Sequence, residues 1–391
     1  MSASNSTGIA RPSRARSVPS APAAVDVRQP LQMELLTPTN SKLTKALGLW
    51  DRLPVWVLGK DVEPERDASG TTLPIVRDFD VGGVQYQVET LPANITVEGG
   101  RRKDVFPGYR EQTVERVIRR LAAREQAYAV DSGKLVWVQL TLYEIWAELH
   151  ATRKTLTYSE IMEALEIMSG SSFRVTRIAS PEATEGDLMV KSNIYPNLKV
   201  KKAKKSDTID KLVVNVQMNE LIADSIKSLD FHDINYQSLL KYKSVARFVY
   251  GSLMYALILD EAEDVRKRVM RASKIIEECA LMNKKSRASF KTVTDGIREL
   301  EAEGIFTVRI EEVFEKGTGG RPKKTDVIYH LSVSDTFYAT AVKAKDGRAD
   351  TLRQFAVITG GKSPEDGWAS RAPKDVTPTL TQATLDLIPN D

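Results

Sequence analysis

The residues of this sequence best suited to chemistry are cations at helical spacing beside a glycine-rich basic loop. Between Ser286 and Glu303, the apolar residues Phe290, Val293, Ile297 and Leu300 recur three and four apart, which predicts an amphipathic helix. With that stripe turned to a core, Arg287, Lys291, Thr294 and Arg298 fall on the other side. Lys284 and Lys285 stand at the helix entrance, and Ser286 is placed to cap it. Arginine and lysine in such positions read guanine edges or clamp phosphates. The alternative for any charged helical stripe is a solvated face that touches nothing.

The neighbouring loop favours contact with DNA. Lys316-Gly-Thr-Gly-Gly-Arg-Pro-Lys-Lys324 lies between two predicted strands, 305–314 and 327–333, and carries Lys316, Arg321, Lys323 and Lys324. Glycine lets a backbone approach phosphates, and the Gly-Arg-Pro core followed by Lys-Lys resembles the AT-hook element, whose arginine reads a narrow minor groove. A nucleotide-binding loop would need a second glycine where this one has Pro322.

Catalysis finds little support. The three histidines, His150, His232 and His330, have no metal-ligand spacing to one another or to paired carboxylates. A nicking initiator would need a His-hydrophobe-His pair, which is absent, and Asp78-Phe79-Asp80 alone is a weak basis for a polymerase site. No catalytic residue, metal site or cofactor is expected, and the chain reads as non-enzymatic. Cys279 is the only cysteine, so neither an intramolecular disulfide nor a cysteine zinc site is available, in keeping with a reducing compartment.

At 391 residues the chain is long enough for two domains with tails. Its 42% hydrophobic and 28% charged residues are those of a folded globular protein, and a net charge of +4 puts the weight on local clusters of charge. No run approaches the roughly 18 apolar residues of a membrane span, so a cytoplasmic protein without membrane contact is expected. Residues 1–45, rich in Ser, Ala, Pro and Arg, and the tail 346–391 are expected to be disordered.

Between these tails the predicted elements recur in one order. In 46–230, short apolar runs such as 53–58 and 84–88 suggest leading strands without an assignable function. A helix with Val114, Val117, Ile118 and Leu121 inward follows, then a strand at 135–140, helices from Thr141 and Thr157, and a hairpin of 172–178 with 188–194. In 231–345, helices at 242–259, 272–281 and 286–303 precede the strand pair around the basic loop. The expected fold is therefore α+β, with two tandem winged-helix domains between disordered tails. In the first domain, the helix after Thr157 exposes Ser159, Glu160, Glu163 and Glu166, which would repel phosphate. Its cations lie instead at Arg174 and Arg177 on the hairpin and in the run Lys199, Lys201, Lys202, Lys204 and Lys205. These predict backbone contacts or a protein contact such as dimerisation, with a solvated lysine loop as the alternative.

Three segments carry a resemblance: 106–115 (Phe-Pro-Gly-Tyr-Arg-Glu-Gln-Thr-Val-Glu), Thr141-Leu-Tyr-Glu-Ile145 with Thr157-Tyr-Ser-Glu-Ile161, and Tyr242-Lys-Ser-Val-Ala-Arg247. They are similar to stretches of theta-type, iteron-binding plasmid replication initiators, particularly the TrfA type, over about residues 105–335. The resemblance implies binding to repeated sites in double-stranded DNA at an origin, opening of an adjacent A·T-rich segment, and recruitment of a host initiator and helicase. It also implies a homodimer in equilibrium with an initiating monomer, and plasmid copy control. Gln32-Met33-Glu34-Leu35-Leu36 looks like the sliding-clamp peptide of such proteins, in which the leucines enter an apolar groove. The rival readings are a winged-helix repressor or partition regulator, which would protect an operator without melting it, and a nicking enzyme.

Overall fold

Thr141 and Thr157 each begin a helix in the same way. The threonine hydroxyl accepts from the backbone N–H three residues on, at 3.2 Å, and the glutamate there, Glu144 or Glu160, accepts from the threonine N–H at 2.6 and 2.7 Å. In the computed structural model, residues 30–38, 42–59, 62–81, 83–96, 99–125, 128–131, 135–178, 189–202, 211–259, 266–281, 286–315, 322–364 and 369 are described.

A short helix α1 (Leu31–Leu35) and strand β1 (Leu43–Leu47) lead through a 3-10 turn (Trp50–Arg52) to β2 (Ile75–Val81), β3 (Val84–Leu91), β4 (Ala93–Thr96) and β5 (Arg102–Val105). Next come α2 (Tyr109–Arg124), β6 (Tyr128–Asp131), β7 (Leu135–Thr141), α3 (Leu142–Ala151) and α4 (Tyr158–Gly170). The strands β8 (Ser172–Arg177), β9 (Met189–Asn193), β10 (Leu198–Lys202) and β11 (Leu212–Gln217) follow, with α5 (Glu220–Lys227), β12 (Phe231–Asn235) and α6 (Tyr236–Lys241). The second half is α7 (Ser244–Leu259), β13 (Lys267–Arg271), α8 (Ala272–Glu278), α9 (Ser286–Ala302), β14 (Phe306–Glu315), β15 (Lys323–Val333) and α10 (Asp335–Thr359). The chain is thus a mixed α/β protein with several small sheets.

In the second half the strands pair antiparallel in the order β13-β15-β14, and Val327, Tyr329 and Leu331 of β15 are buried on the helix side. In the first half the helix order recurs, but the strand pairing differs. The expected hairpin forms as β8 and β9 and joins the leading strands as β2-β3-β8-β9, with Arg174 opposite Glu89. Strand β7 pairs instead with β6 and β11, in the order β10-β11-β7-β6. The sequence of β7 explains this: Val136, Trp137, Val138 and Leu140 are all buried, so the strand needs partners along both edges and cover on both faces. The run 53–58 stays unpaired as a strand, its Val57 and Leu58 N–H groups donating to Pro107 and Cys279 carbonyls.

The ordered chain extends past both expected limits. Strand β1 pairs with β12, Leu43 opposite Asn235, so 42–47 belongs to the fold and not to a disordered arm. Helix α10 runs on to Thr359, and Gly360 ends it in the left-handed conformation (φ 70°) that favours glycine. One apolar cluster runs from Leu31 to Phe355 across both halves. Among the described residues, no helix is long and apolar enough to cross a membrane.

His232 on β12 sits within this core, its ring 5.5 Å from that of Tyr255. Burial pushes its pKa from 6.5 down to about 4, with Arg348 and Lys45 adding to the effect and Asp51 opposing it. The folded state therefore refuses a proton that the unfolded chain accepts. Stability is full above pH 6.5 and is lost as pH falls toward 4, by on the order of 3 kcal/mol in total. Urea unfolding at pH 7 and at pH 4.5 should show this loss, and His232→Gln should lose less across the same interval. Equal losses in both proteins would assign the acid sensitivity to other groups.

Candidate nucleic-acid interface

Helix α9 is held by its apolar stripe: Phe290, Val293, Ile297 and Leu300 are all buried, as their spacing predicts. Its approach to α7 depends on Gly296, where a Cβ would come within 3.1 Å of the Ala246 backbone nitrogen and of Val245 Cγ1. The opposite face carries Arg287, Lys291, Thr292, Asp295 and Arg298, all exposed. Lys291 pairs with Asp295 at 2.6 Å and Arg298 with Glu301. Exposed pairs of this kind are worth only about 0.2–1 kcal/mol, so both cations can exchange their partners for a ligand.

Thr294 departs from the expectation. It is half-buried, its hydroxyl donating to the Phe290 carbonyl and meeting the Tyr329 hydroxyl at 2.8 Å in each case. At about 3.6 residues per turn, Arg287, Thr294 and Arg298 share one shoulder of the helix. Because Thr294 touches Tyr329 of β15, that shoulder is the one beside the strand pair. Lys323 is exposed at the start of β15, and Lys324, paired with Glu312 at 2.6 Å, lies 6.0 Å above the Phe290 ring of α9. Helix and strand pair therefore present their cations on one face. The acidic counterweight is on β14, where Glu311 meets His330 at 3.0 Å and Glu312 meets Lys324. Lys284, Lys285, Lys316 and Arg321 lie outside the described residues.

The other side of α9 borders a cleft of about 740 Å³ between the two halves. Thr292, Asp295 and Glu299 line it from α9, and Lys103, Arg110 and Lys243 from β5, α2 and the entrance to α7. Two of its carboxylates are committed elsewhere: Asp104 to Arg66, Thr72 and Asn94, and Glu111 to the Gly108 N–H and Arg110. Lys103 and Lys243 are exposed. Sequence reasoning misses these cations, since no local pattern brings residue 103 beside residue 243.

No family model matches this chain, and no curated protein does. Among the solved structures to which the chain is similar are three whose own chains are covered almost entirely. A crystal structure of RctB domains 2-3, residues 155–483, covers 75% of this chain and 99% of its own, at 11% identity and a TM-score of 0.41. A selenomethionine derivative of RctB domains 2 and 3 covers 73% and 96%, at 11% identity and a TM-score of 0.42. The Pi initiator protein in complex with iteron DNA covers 63% and 98%, at 12% identity and a TM-score of 0.31.

In the first half, Ser159 and Glu166 of α4 are exposed as expected, whereas Glu160, which caps the helix, and Glu163, which pairs with Arg110 at 3.1 Å, are half-buried. Hydrogen bonds from Thr157 hold the Glu160 carboxyl below its usual pKa. Arg174 (half-buried, 3.6 Å from Glu89) and Arg177 (exposed) lie on β8, whereas Lys199, Lys201 and Lys202 lie on β10 in a different sheet. The structure does not join these two sets in one sheet. Lys204 and Lys205 lie outside the described residues.

The peptide around Leu35 is not displayed as a free arm. Gln32 is 0% exposed, Met33 and Leu36 are also buried, and Glu34 and Leu35 are half-buried. The Gln32 carboxamide accepts from the Ala369 N–H at 3.1 Å and donates to the Lys227 carbonyl at 3.4 Å, and the Leu31 N–H donates to the Ala369 carbonyl at 2.7 Å. In this arrangement Leu36 fills the protein's own core and cannot also fill a partner's groove. The motif resembles a clamp peptide because both uses select a glutamine followed by apolar residues.

Proposed function

We propose that this chain is a plasmid replication initiator that binds repeated sites in double-stranded origin DNA through two winged-helix modules. In this reading the second half is one module: α7, β13, α8, α9 and the β14–β15 wing, with α9 in the major groove and the wing against the adjoining backbone. The observation that carries it is the shared face of α9 and β15, where Arg287 and Arg298 flank Thr294 while Lys324 lies over Phe290. Asp295 on the same helix has the chemistry to accept from a cytosine N4 amine. The cleft cations Lys103, Arg110 and Lys243 would follow the phosphates on the other side of α9.

The first half is the second module, contacting backbone through Arg174, Arg177 and the β10 lysines or mediating a dimer that dissociates to initiate. Opening of the neighbouring duplex and recruitment of a host initiator and helicase belong to the same proposal, which places the protein in the bacterial cytoplasm and includes no catalytic step. The resemblance of residues 105–335 to iteron-binding initiators supports it.

Footprinting on the native plasmid with permanganate probing tests the reading. Regularly spaced protections with unpaired thymines alongside are expected, whereas one palindrome protected over a promoter without melting would replace it with a repressor. Lys323→Ala should lower the salt slope of binding by about one while leaving the preference among sequences intact. A lysine that changes sequence preference would be a base reader and not a phosphate contact.

A further inference from the structure

A cavity of about 30 Å³ lies where the two halves meet, lined by Gln112 and Arg116 of α2, Arg247 of α7, Asp51 and Arg52 of the 3-10 turn, and Glu278 of α8. Arg247 is 0% exposed and has no carboxylate partner among the described residues. Its Nη1 donates to Thr113 Oγ1 at 2.8 Å, and its Nη2 to the Tyr109 hydroxyl at 2.8 Å and the Leu240 carbonyl at 3.3 Å. Its guanidinium carbon stands 4.2 Å from the Tyr109 ring centre. All of these partners are neutral. The Nε of Arg247 and the Nη1 of Arg116 are buried without a hydrogen-bond partner among the described residues.

Burial and the repulsion of Arg116 push Arg247 down to about 9, so it remains a cation at neutral pH. The lining thus holds three arginines against two carboxylates. Asp51 is already bound in a bidentate manner to Arg119, at 2.7 and 3.0 Å, and Glu278 faces Lys274 at 3.8 Å. Asp51 and Glu115 answer the charge of Arg116 together with that of Arg119, so the charge left without a carboxylate is that of Arg247, and one donor of each of Arg116 and Arg247 is unmet.

We propose that this cavity binds a small inorganic anion of chloride size, which bridges Arg116 and Arg247 and thereby ties the first half of the chain to the second. Water would meet the donors but leave the excess charge. A compact monovalent sphere such as chloride fits a space of about 30 Å³. Gln112 supplies a third donor if its amide is turned, since its Oε1 has no partner in its present orientation. The two arginines extend from α2 and α7, whose N-terminal ends line the cleft beside α9, so an anion here would fix the placement of the two halves around that cleft.

The test is thermal unfolding of the full chain at constant ionic strength, with sodium chloride progressively replacing sodium gluconate, whose anion is too large to enter. Chloride should raise the melting temperature along a saturating curve, by about 2 °C at ten times its dissociation constant. Arg116→Met, which keeps the aliphatic stem, should abolish the response, and Arg353→Met on the exposed side of α10 should retain it. Crystals grown in sodium bromide should show an anomalous peak between Arg116 and Arg247. Identical melting in chloride and gluconate would overturn the proposal, as would the absence of that peak. The wild-type titration and the bromide map decide the matter even if Arg116→Met fails to fold.

Discussion

Replacing Arg119 with methionine should destabilise the fold by about 3–5 kcal/mol, far more than any change on the exposed face of α9 should cost in stability. Arg119 is buried on α2 between two carboxylates. It holds Asp51 through both oxygens and Glu115 through its Nε at 2.6 Å. Asp51 also accepts from the Leu47 N–H at 2.6 Å, and Glu115 from the Trp50 indole at 3.1 Å. Burial, the largest single influence, would raise the Asp51 carboxyl, but the charge and hydrogen bonds of Arg119, the charge of Arg116 and the Leu47 N–H together hold the group below its usual value; at Glu115 burial prevails and the carboxyl is raised.

Removing the guanidinium strands both carboxylates away from water, and the methionine fills its volume without answering their charge. Urea unfolding measures the loss. Adding Glu115→Gln to Arg119→Met should recover part of it, because one stranded charge is then neutral. A single-variant loss below about 1 kcal/mol would mean that solvent reaches the cluster and screens it. The same network joins β1, the 3-10 turn and α2, so its loss should also loosen the strand that reaches across to β12.

How much of this is legible in the sequence depends on whether the deciding contact is local. The α9 stripe is legible because Phe290, Val293, Ile297 and Leu300 report one face at 3.6-residue spacing, and the hairpin of β8 and β9 because alternation survives without knowledge of the partner. Thr294 escapes for a related reason: helical periodicity gives the direction of a side chain, not the tyrosine hydroxyl waiting on β15. The pairing of β3 with β8, and of β1 with β12, joins residues more than 80 positions apart, and no pattern within either strand names the other. Arginine ordinarily faces solvent, yet Arg77, Arg119 and Arg247 are all buried. Arg77 donates to the Trp56 carbonyl and to Thr90 Oγ1, and burial lowers its pKa to about 10. Residues 30–36 depart from the expected disorder because a proline- and serine-rich composition describes their neighbours better than it describes Gln32 and Leu36.

Under the proposed function, the exposed cations of α9 are the ones that would meet DNA. Arg287→Ala should weaken specific binding by about 1–3 kcal/mol through a lost major-groove base contact, and adding Arg298→Ala should lower affinity further on every sequence. The two residues share a shoulder but stand eleven positions apart, about 16 Å along the helix axis. A recognition helix contacts bases chiefly through its N-terminal turns. Arg287 should therefore carry sequence preference, and Arg298 should act mainly on affinity and salt dependence. Thr294→Val offers the contrast: its hydroxyl is engaged with Tyr329, so it should lower stability by about 1 kcal/mol while leaving base preference unchanged. Titrations against the cognate repeat and against single-base variants of it, at two salt concentrations, separate these effects. Equal losses on every sequence from Arg287→Ala would show that α9 lies along the backbone, and base reading would then have to come from another element.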